Sequence, residues 1–407
     1  MTARAYDERM NRFTRHVQPG DLRGAARLGI RATTDATALV EALHAEIARI
    51  PLLSRRPATG RTKGLTGFVY RIVRGVTHGV GIGLDHSLGW LAPRLVPETP
   101  STAGRCAAIS VLNGVIGDHL AATRNPLAIR MSLRQAGTAL RLQRDALAGA
   151  FPDARPHVVV MVHGLCMNDR QWMRNGHDHG AALARDLDCT PLYLHYNSGL
   201  PISLNGRRFA RLLERLAGQW PVPIERISIV GHSMGGLVAR SACVHAEREG
   251  HTWPARLDAI VFLGTPHRGA PLERGGHWFE TLLAVSPYSA PFARLGKIRS
   301  AGITDLRHSA VFGPGSEADQ AGSHIPPLPA GVRCLTIGAT LGRRSGDLKD
   351  RLVGDGIVPL PSALGRGGRG TPALFARDAQ WVSYETGHLE LLARPAVYAQ
   401  LRRWLGG

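Results

Sequence analysis

Short apolar runs recur along the sequence from residue 157 onwards, and segments with helical periodicity separate them. The first run, HVVVMV at 157–162, is apolar throughout, which is typical of a strand buried on both faces of a sheet. The further strands that the pattern predicts are 192–196, 226–230, 257–263, 332–337 and 380–384. The intervening helices are predicted at about 170–187, at 205–220 and up to about 248. This alternation predicts an α/β fold, with a mainly parallel sheet that carries helices on both faces.

Residues 1–125 have a different pattern, which is mostly helical and contains no catalytic motif. Helices are predicted at 21–50 and 64–93. In the second helix apolar residues recur at i, i+3, i+4 and i+7, and Arg71 and Arg74 lie on the opposite side. The sequence therefore divides into a helical N-terminal extension, 1–125, and an α/β domain, 126–407.

The apolar stripe of the second helix has two interpretations that the sequence leaves open. The stripe either packs on the rest of the protein or on a partner chain, or it lies in a membrane interface with its arginines toward anionic head groups. On the second interpretation about residues 64–95 make a peripheral membrane contact. Arg71, Arg74 and Asp85 break the hydrophobic run along the sequence, so the run falls short of the ~20 apolar residues that a membrane span needs.

The strongest chemical motif is GHSMGG at 231–236, which follows the predicted strand 226–230 and precedes a helical segment. A strand that turns into a helix within one residue forces that residue into a strained backbone conformation, and the flanking glycines let neighbouring backbones pass. This turn would lift the Ser233 hydroxyl above the sheet edge, at the positive end of a helix. We therefore predict that Ser233 is a nucleophile.

A serine hydroxyl needs a general base, and the base needs an orienting acid. In this topology the acid and the histidine follow the serine in chain order. His388 comes directly after the last predicted strand and before the closing helical segment, so we predict that it is the base. Asp355, in the glycine turn GDGIVP, is the predicted acid, with Asp347 and Asp350 as alternatives in a charged run. Asp355 could also serve only its own turn, as aspartates in turns often do.

An attacked carbonyl develops negative charge, which backbone amides can stabilise. We predict that the amides of Met234 and Leu165 form this oxyanion hole, because one follows the nucleophile and the other lies in the turn after strand 157–162. The turn residues expected to shape the site and contact substrate are His163, Gly164, Gly231, His232 and Gly235. Cys166 is expected to be a small buried apolar residue.

The long excursion between the strands 257–263 and 332–337 contains no clear strand. This insertion, about 267–330, is apolar in its first part, and a long excursion between two sheet strands is usually functional. We expect a cap or lid over the carboxyl edge of the sheet, where open α/β sheets bind ligands. A packing subdomain remote from the site is the alternative.

Composition narrows the possible partners. The formal net charge is +19, yet the sequence contains no zinc finger or other nucleic-acid-reading motif, so we expect no nucleic acid partner. His177 and His179 in GHDHG lack a third ligand at a set spacing, and we expect neither a metal nor an organic cofactor. The five cysteines include no CxxC, and MTARAYDERMNRF has no apolar core. We therefore expect a cytoplasmic protein without a signal peptide or a disulfide framework, with peripheral membrane association left open.

These motifs together resemble the α/β-hydrolase superfamily, and within it the lipase and GPI inositol-deacylase-like branch. The stretches that carry the resemblance are VVVMVHGL at 158–165, GHSMGGLVAR at 231–240, LGTPHRGAP at 263–271, GDGIVP at 354–359 and GHLELL at 387–392. The resemblance implies ester hydrolysis with Ser233 as nucleophile, Asp355 as acid and His388 as base. It does not extend to residues 1–125.

The sequence thus predicts a serine esterase or lipase that forms an acyl-enzyme on an acyl or lipid-like ester. Transfer of the acyl group to an alcohol or a thiol would use the same three residues, so acyltransferase activity stays open. A non-catalytic, membrane-associated binding protein on a hydrolase fold is the third possibility. The sequence decides neither the ester nor the oligomeric state.

Overall fold

The computed structural model describes residues 18–47, 64–95, 102–269, 300–308, 328–344, 354–367 and 371–406. The chain forms two compact units. The first contains residues 1–105 and 123–127, and the second contains residues 106–122 and 128–407. The predicted division at residue 125 stays a prediction.

The first unit contains two long helices, α1 (Pro19–Ile47) and α2 (Gly64–Leu95), close to the predicted 21–50 and 64–93. The glycines of α2 do not break the helix. A Cβ on Gly81 would lie 2.9 Å from Cγ2 of Ile30, so this glycine lets the two helices approach closely. In the described part of the chain no helix combines the length and the hydropathy needed to cross a membrane.

The second unit is built on one eight-stranded sheet with the strand order β2-β1-β4-β3-β5-β6-β7-β8. The strands are β1 (Ser132–Gln135), β2 (Thr138–Ala139), β3 (His157–Val162), β4 (Thr190–His195), β5 (Arg226–His232), β6 (Leu257–Leu263), β7 (Arg333–Ala339) and β8 (Gln380–Ser383). Strands β3 to β8 pair in parallel, and the hairpin β1–β2 joins β4 in antiparallel pairing. The mainly parallel sheet is therefore confirmed.

Helices cover both faces of this sheet, as predicted. They are α3 (Ala103–Ala122), α4 (Arg144–Ala150), α5 (His179–Leu187), α6 (Ile202–Gln219), α7 (Met234–Glu249), α8 (Ala301–His308), α9 (Leu360–Ala363) and α10 (Pro395–Gly406). Alternate residues of β3 pack in two separate hydrophobic cores, one on each face of the sheet. Val158 and Val160 pack in the core that includes α6 and α7, whereas Val159 and Met161 pack in the core that includes α5 and α10. This is why the whole β3 segment is apolar.

The predicted helix at 170–187 is wrong in its first half. A 3₁₀ turn at Asp169–Trp172 is followed by a tight turn in which Asn175 and Gly176 have φ of 51° and 75°. The Asn-Gly pair favours this left-handed backbone, which a helix cannot contain. Helix α5 begins only after Asp178, whose carboxylate accepts a hydrogen bond from the amide of Ala181 at 2.9 Å.

Candidate active site

Ser233 occupies the single residue between β5 and α7. Its φ of 54° and ψ of −125° lie outside the regions that residues with a Cβ normally adopt. The Ser233 amide donates to the carbonyl oxygen of Leu263 at 2.8 Å, which ties the strained residue to the end of the neighbouring strand β6. A non-glycine residue persists in this conformation only where the surrounding structure imposes it, and such residues cluster at functional sites.

The glycines of the motif are required by close backbone approach. A Cβ on Gly235 would lie 2.3 Å from the carbonyl oxygen of Val162, and one on Gly231 would lie 2.7 Å from the Cα of Gly236. No side chain fits at either position without moving the backbone. The motif therefore packs the start of α7 directly against the carboxyl end of β3.

His388 and Asp355 form a buried pair at the same edge of the sheet. The Nδ1 atom of His388 lies 2.7 Å from Oδ2 of Asp355, and the His388 amide donates to the Asp355 carbonyl oxygen at 3.0 Å. Both residues are less than 5% exposed. Because Nδ1 donates to the carboxylate, Nε2 of the neutral imidazole carries the lone pair that can accept a proton.

The Asp355 carboxylate accepts hydrogen bonds both from its own turn and from His388. Its Oδ1 atom accepts hydrogen bonds from the amides of Ile357 and Val358 at 3.0 and 2.8 Å, which leaves Oδ2 for His388. Gly354 and Gly356 flank it with φ of 56° and 96°, a backbone that glycine adopts without strain. The two alternative acids, Asp347 and Asp350, lie outside the described residues.

Short contacts bring this pair next to the serine turn. His232, the residue before Ser233, places its Nε2 atom 3.1 Å from the carbonyl oxygen of His388. The centroids of the His232 and His388 rings lie 4.6 Å apart. Gly264 follows the strand that holds the Ser233 amide, and a Cβ there would lie 3.2 Å from both Cε1 of His388 and Oδ2 of Asp355. The three predicted residues therefore converge at the carboxyl edge of the sheet.

The remaining ring nitrogen of His388 has no hydrogen bond in the described part of the chain. Its Nε2 atom is buried, so it lacks a protein partner and is shielded from water. An unsatisfied buried acceptor costs free energy, and it is tolerated where a reacting group will supply the proton. The bond from the Ser233 hydroxyl to this nitrogen is not made in this structure. Catalytic hydrogen bonds are often longer in the unliganded state than in the substrate complex.

The turn after β3 lies against the serine. A Cβ on Gly164 would lie 3.1 Å from the Cβ of Ser233, so only glycine lets this turn approach so closely. The next amide, that of Leu165, has no acceptor among the described residues, whereas the Cys166 amide donates to Oγ of Ser198 at 3.0 Å. The Met234 amide begins α7, where a helix leaves its first amides without an intrahelical acceptor. The turn that contains Leu165 and the helix that begins at Met234 thus meet at Ser233.

His163 supports this turn. Its Nδ1 atom lies 2.8 Å from the Gly164 carbonyl oxygen, and its ring stacks on Tyr196 at 4.4 Å. The Tyr196 hydroxyl donates to the His163 carbonyl oxygen at 2.8 Å. Burial lowers the pKa of His163 to about 4, so the ring is neutral near pH 7. His163 therefore positions the turn; its predicted contact with substrate stays a prediction.

Cys166 is unsuited to act as a second nucleophile. The side chain is fully buried, and burial raises the pKa of its thiol to about 12. The thiolate is the reactive form of cysteine, and it is negligible near pH 7 at this pKa. Cys166 is the small buried apolar residue that the sequence predicted.

The sequence did not identify the residues whose hydrogen bonds support the candidate site. Ser198 and Tyr196, which follow β4, fix the turn at 163–166. His179 places its Nε2 atom 2.9 Å from the carbonyl oxygen of Leu391, three residues after His388. The available signal was the position of Tyr196 and Ser198 at the carboxyl end of a parallel strand, where ligand-binding residues gather. Nothing in the local sequence links His179 to Leu391.

His177 and His179 bond to each other, with Nε2 of His177 2.8 Å from Nδ1 of His179. His179 also contacts the ring of Tyr398 in a stacked arrangement at 5.9 Å. Within the described ranges no group of three or more histidine, cysteine, aspartate or glutamate side chains could hold a metal ion. The pair therefore acts as a structural link between α5 and the segment that follows the base.

Of the predicted insertion the structure describes α8 with Ser300, and the two ends at 267–269 and 328–330; 270–299 and 309–327 lie outside the described residues. Helix α8 packs on the segment after β4. Its Asp305 carboxylate accepts from the amide of Ile202 at 2.8 Å, and the Gly302 amide donates to the Gly199 carbonyl oxygen at 3.0 Å. This segment begins at Ser198, which holds the Cys166 amide. A cap over the site stays a prediction.

Residues 211–315 match the family described as PGAP1-like alpha/beta domain. The matched range includes the whole turn around Ser233, and it confirms the predicted resemblance to the α/β-hydrolase superfamily and its GPI inositol-deacylase-like branch. No curated protein matches the chain.

Several solved structures align with part of the chain at low identity. A lipase-esterase related protein from Clostridium acetobutylicum is 13% identical, with 61% of this chain and 94% of that chain covered and a TM-score of 0.33. YbtT, a type II thioesterase of the Yersiniabactin pathway, is 16% identical over 62% of this chain and 93% of its own, with a TM-score of 0.36. An esterase from Pyrobaculum calidifontis is 15% identical over 62% and 76%, with a TM-score of 0.35.

Proposed function

We propose that this chain, which has the α/β-hydrolase fold, is a serine hydrolase of carboxylic esters. The observation that carries the proposal is the buried Asp355–His388 pair, with Nδ1 and Oδ2 2.7 Å apart, beside a serine in a strained strand-to-helix turn. These are the groups that activate a serine hydroxyl, in the chain order Ser, Asp, His. The assignment of Ser233, His388 and Asp355 as nucleophile, base and acid is part of the proposal.

The proposed reaction has two halves. The Ser233 Oγ attacks the ester carbonyl carbon while His388 Nε2 takes its proton, and the same proton passes to the departing alcohol oxygen. Water then attacks the acyl-serine ester, with His388 accepting a proton from water and returning it to Oγ. The Asp355 carboxylate stabilises the imidazolium that forms twice in this cycle, and its bonds to two backbone amides hold it in place.

Two amides are proposed to stabilise the negative charge on the carbonyl oxygen. The Met234 amide follows Ser233 in the chain, and the Leu165 amide follows Gly164, which packs against Ser233. The Leu165 amide has no acceptor in the described part of the chain. Donors fixed in advance lower the barrier because they need no reorganisation when the oxyanion forms; one such donor contributes about 3 kcal/mol. A bulky Leu165 is compatible with this role because only its backbone takes part.

An acyl or lipid-like ester is the proposed substrate class. The support is the apolar composition of the predicted insertion, in which Phe279, Leu282, Leu283, Tyr288 and Phe292 recur. A cap of this composition over the carboxyl edge of the sheet would bind an acyl chain better than a charged group.

The decisive experiment is active-site labelling of the purified full chain with a fluorophosphonate probe. We expect the wild-type chain to be labelled and Ser233→Ala to be unlabelled, with the same melting temperature. Ser132→Ala, a change at a half-buried serine on β1, is the matched control and should be labelled like the wild type. Undiminished labelling of Ser233→Ala would place the nucleophile elsewhere.

A series of p-nitrophenyl esters of increasing acyl length then tests the substrate class. We expect kcat/KM to rise with acyl length beyond acetate. A preference for acetate over all longer esters would contradict an acyl-chain site while leaving the serine hydrolase assignment intact.

A further inference from the structure

Helix α2 packs on α1 through its polar side. The Arg74 guanidinium bonds to the Glu41 carboxylate, which is only 2% exposed. Asp85 accepts hydrogen bonds from Arg23 and Arg27 of α1, at 2.7 and 2.5 Å. These five charged groups are therefore paired between the two helices. In an ordinary helical hairpin in water the apolar sides would meet instead.

The opposite side of α2 is apolar and exposed. We call it the apolar face, and its main residues are Phe68, Val69, Ile72, Val76, Val80 and Trp90. Each of these side chains is between 48% and 64% exposed. They recur at i, i+4 and i+8 spacing, so they lie on one side of the helix. From Phe68 to Trp90 the face is about 33 Å long at the ordinary helical rise.

A continuous apolar face of this length is uncommon on a protein surface that contacts only water. Isolated exposed apolar residues need no explanation, but here they follow one another along the helix without a charged residue among them. By contrast, Leu22 is the one large apolar side chain of α1 that is strongly exposed among the described residues. The two-helix unit thus has one apolar side, which suits lying on a surface rather than crossing it.

Charge favours an anionic surface. Arg71 is exposed on α2 beside the apolar face. The sequence that leads into α2, residues 48–63, contains Arg49, Arg55, Arg56, Arg61 and Lys63 and no acidic residue. Basic residues close to a membrane surface strengthen binding to anionic head groups. A second copy of this chain would bring its own Arg71 to the contact, and the like charges would oppose it.

We propose that the apolar face of α2 binds a membrane surface that contains anionic phospholipid. The Phe, Val and Ile side chains would lie among the upper acyl chain segments. Trp90 would lie at the level of the head groups, where indole rings are enriched because they combine an apolar body with an N–H donor. This inference is independent of the proposed esterase activity, since it rests only on the first unit.

The test is flotation of the full chain with vesicles of phosphatidylcholine, with and without phosphatidylglycerol. We expect flotation with the mixed vesicles at low salt, and a decrease when the salt concentration is raised, because salt screens the head-group attraction. The variant Ile72→Gln/Val76→Gln places polar, helix-forming residues in the centre of the apolar face and should lose most of this binding. Met173→Gln is the matched control, because Met173 is 57% exposed and lies in the second unit.

Circular dichroism of the variants distinguishes lost binding from lost folding. An unchanged helical signal with lost flotation supports the proposal. Trp90 gives a second measurement: its fluorescence, taken as the difference between the wild type and Trp90→Phe, should shift to shorter wavelength with mixed vesicles. The proposal is overturned if the folded wild type does not float at any phosphatidylglycerol content. It is equally overturned if light scattering shows a dimer that Ile72→Gln/Val76→Gln dissociates and that binds no vesicles.

Discussion

The Nε2 atom of His232 lies 3.1 Å from the carbonyl oxygen of His388, so the residue before the serine holds the backbone of the histidine that faces it. A carbonyl oxygen can only accept, so Nε2 of His232 is the donor. Burial lowers the pKa of His232 well below its ordinary value, which keeps the ring neutral. This bond links the serine turn and the loop that contains His388 across 156 residues of sequence.

Replacing His232 should therefore impair catalysis without removing a reacting group. We expect His232→Phe to lower kcat about tenfold with little change in KM, because small displacements of a base are costly. His232→Gln keeps a side-chain N–H donor and should recover part of the loss. Steady-state kinetics on a p-nitrophenyl ester measure both. Equal activity of the Phe variant and the wild type would show that the bond does not position His388.

Asp355→Asn tests the acid. The amide keeps an oxygen for the Ile357 and Val358 amides, so the turn should survive and the melting temperature should change little. Loss of the carboxylate beside Nδ1 should lower kcat by about 10³ to 10⁴, because the imidazolium is no longer stabilised and the wrong tautomer is favoured. The controls are Asp347→Asn and Asp350→Asn. If one of these abolishes activity and Asp355→Asn does not, the acid is misassigned.

Gly235→Ala tests the packing of the serine turn against β3. Its new Cβ would lie 2.3 Å from the Val162 carbonyl oxygen, which belongs to a central strand and cannot easily move. We expect a loss of about 3 kcal/mol or more in the free energy of unfolding, together with loss of activity. In Gly149→Ala the added Cβ would meet nothing within 4 Å, and helix α4 should be unchanged or slightly more stable. Chemical denaturation of both variants measures the contrast, and equal stabilities would contradict it.

The buried histidines predict that the protein loses stability in mild acid. Burial lowers the pKa of His179 to about 4, below the ordinary value of 6.5. Between these values the unfolded chain binds a proton that the folded chain does not, so stability falls as pH decreases from about 6.5 towards 4. A fully depressed histidine contributes on the order of 2–3 kcal/mol to this fall.

The variant His179→Gln removes one of these titrating groups. We expect its melting temperature to depend less steeply on pH between 7 and 4.5 than that of the wild type. The reason is that the unfolded variant binds one proton fewer than the unfolded wild type over this range. Its stability at pH 7 should be lower, since the bond to the Leu391 carbonyl oxygen is weakened. Melting curves at a series of pH values measure the slope. An unchanged slope would mean that His179 is not buried and neutral in solution.

Many of the strands and helices could be predicted from short stretches of the sequence. The bounds of β3 and β6 were predicted to the residue, because both strands are apolar except at His157 and Asp258, and two cores require this composition. The helix at 170–187 was wrong because apolar periodicity cannot register an Asn-Gly turn that needs left-handed backbone at Asn175 and Gly176. The apolar stripe of α2 was predicted too, but its direction was not: which side of the helix faces α1 depends on the pairing of Asp85 with Arg23 and Arg27.

By itself the sequence determined the order of the strands along the chain and the serine turn, and it predicted the three residues that we propose to carry the chemistry, because each depends on a short local pattern. Only the tertiary structure decided which carboxylate oxygen of Asp355 bonds to His388. It also decided that His232, His179 and Ser198 support the site through hydrogen bonds to its backbone. These bonds join residues that are far apart in the chain, and their partners are set by how the strands pair. The exposure of the apolar face of α2 is of the same kind, since burial is a property of the packed helices and not of either helix alone.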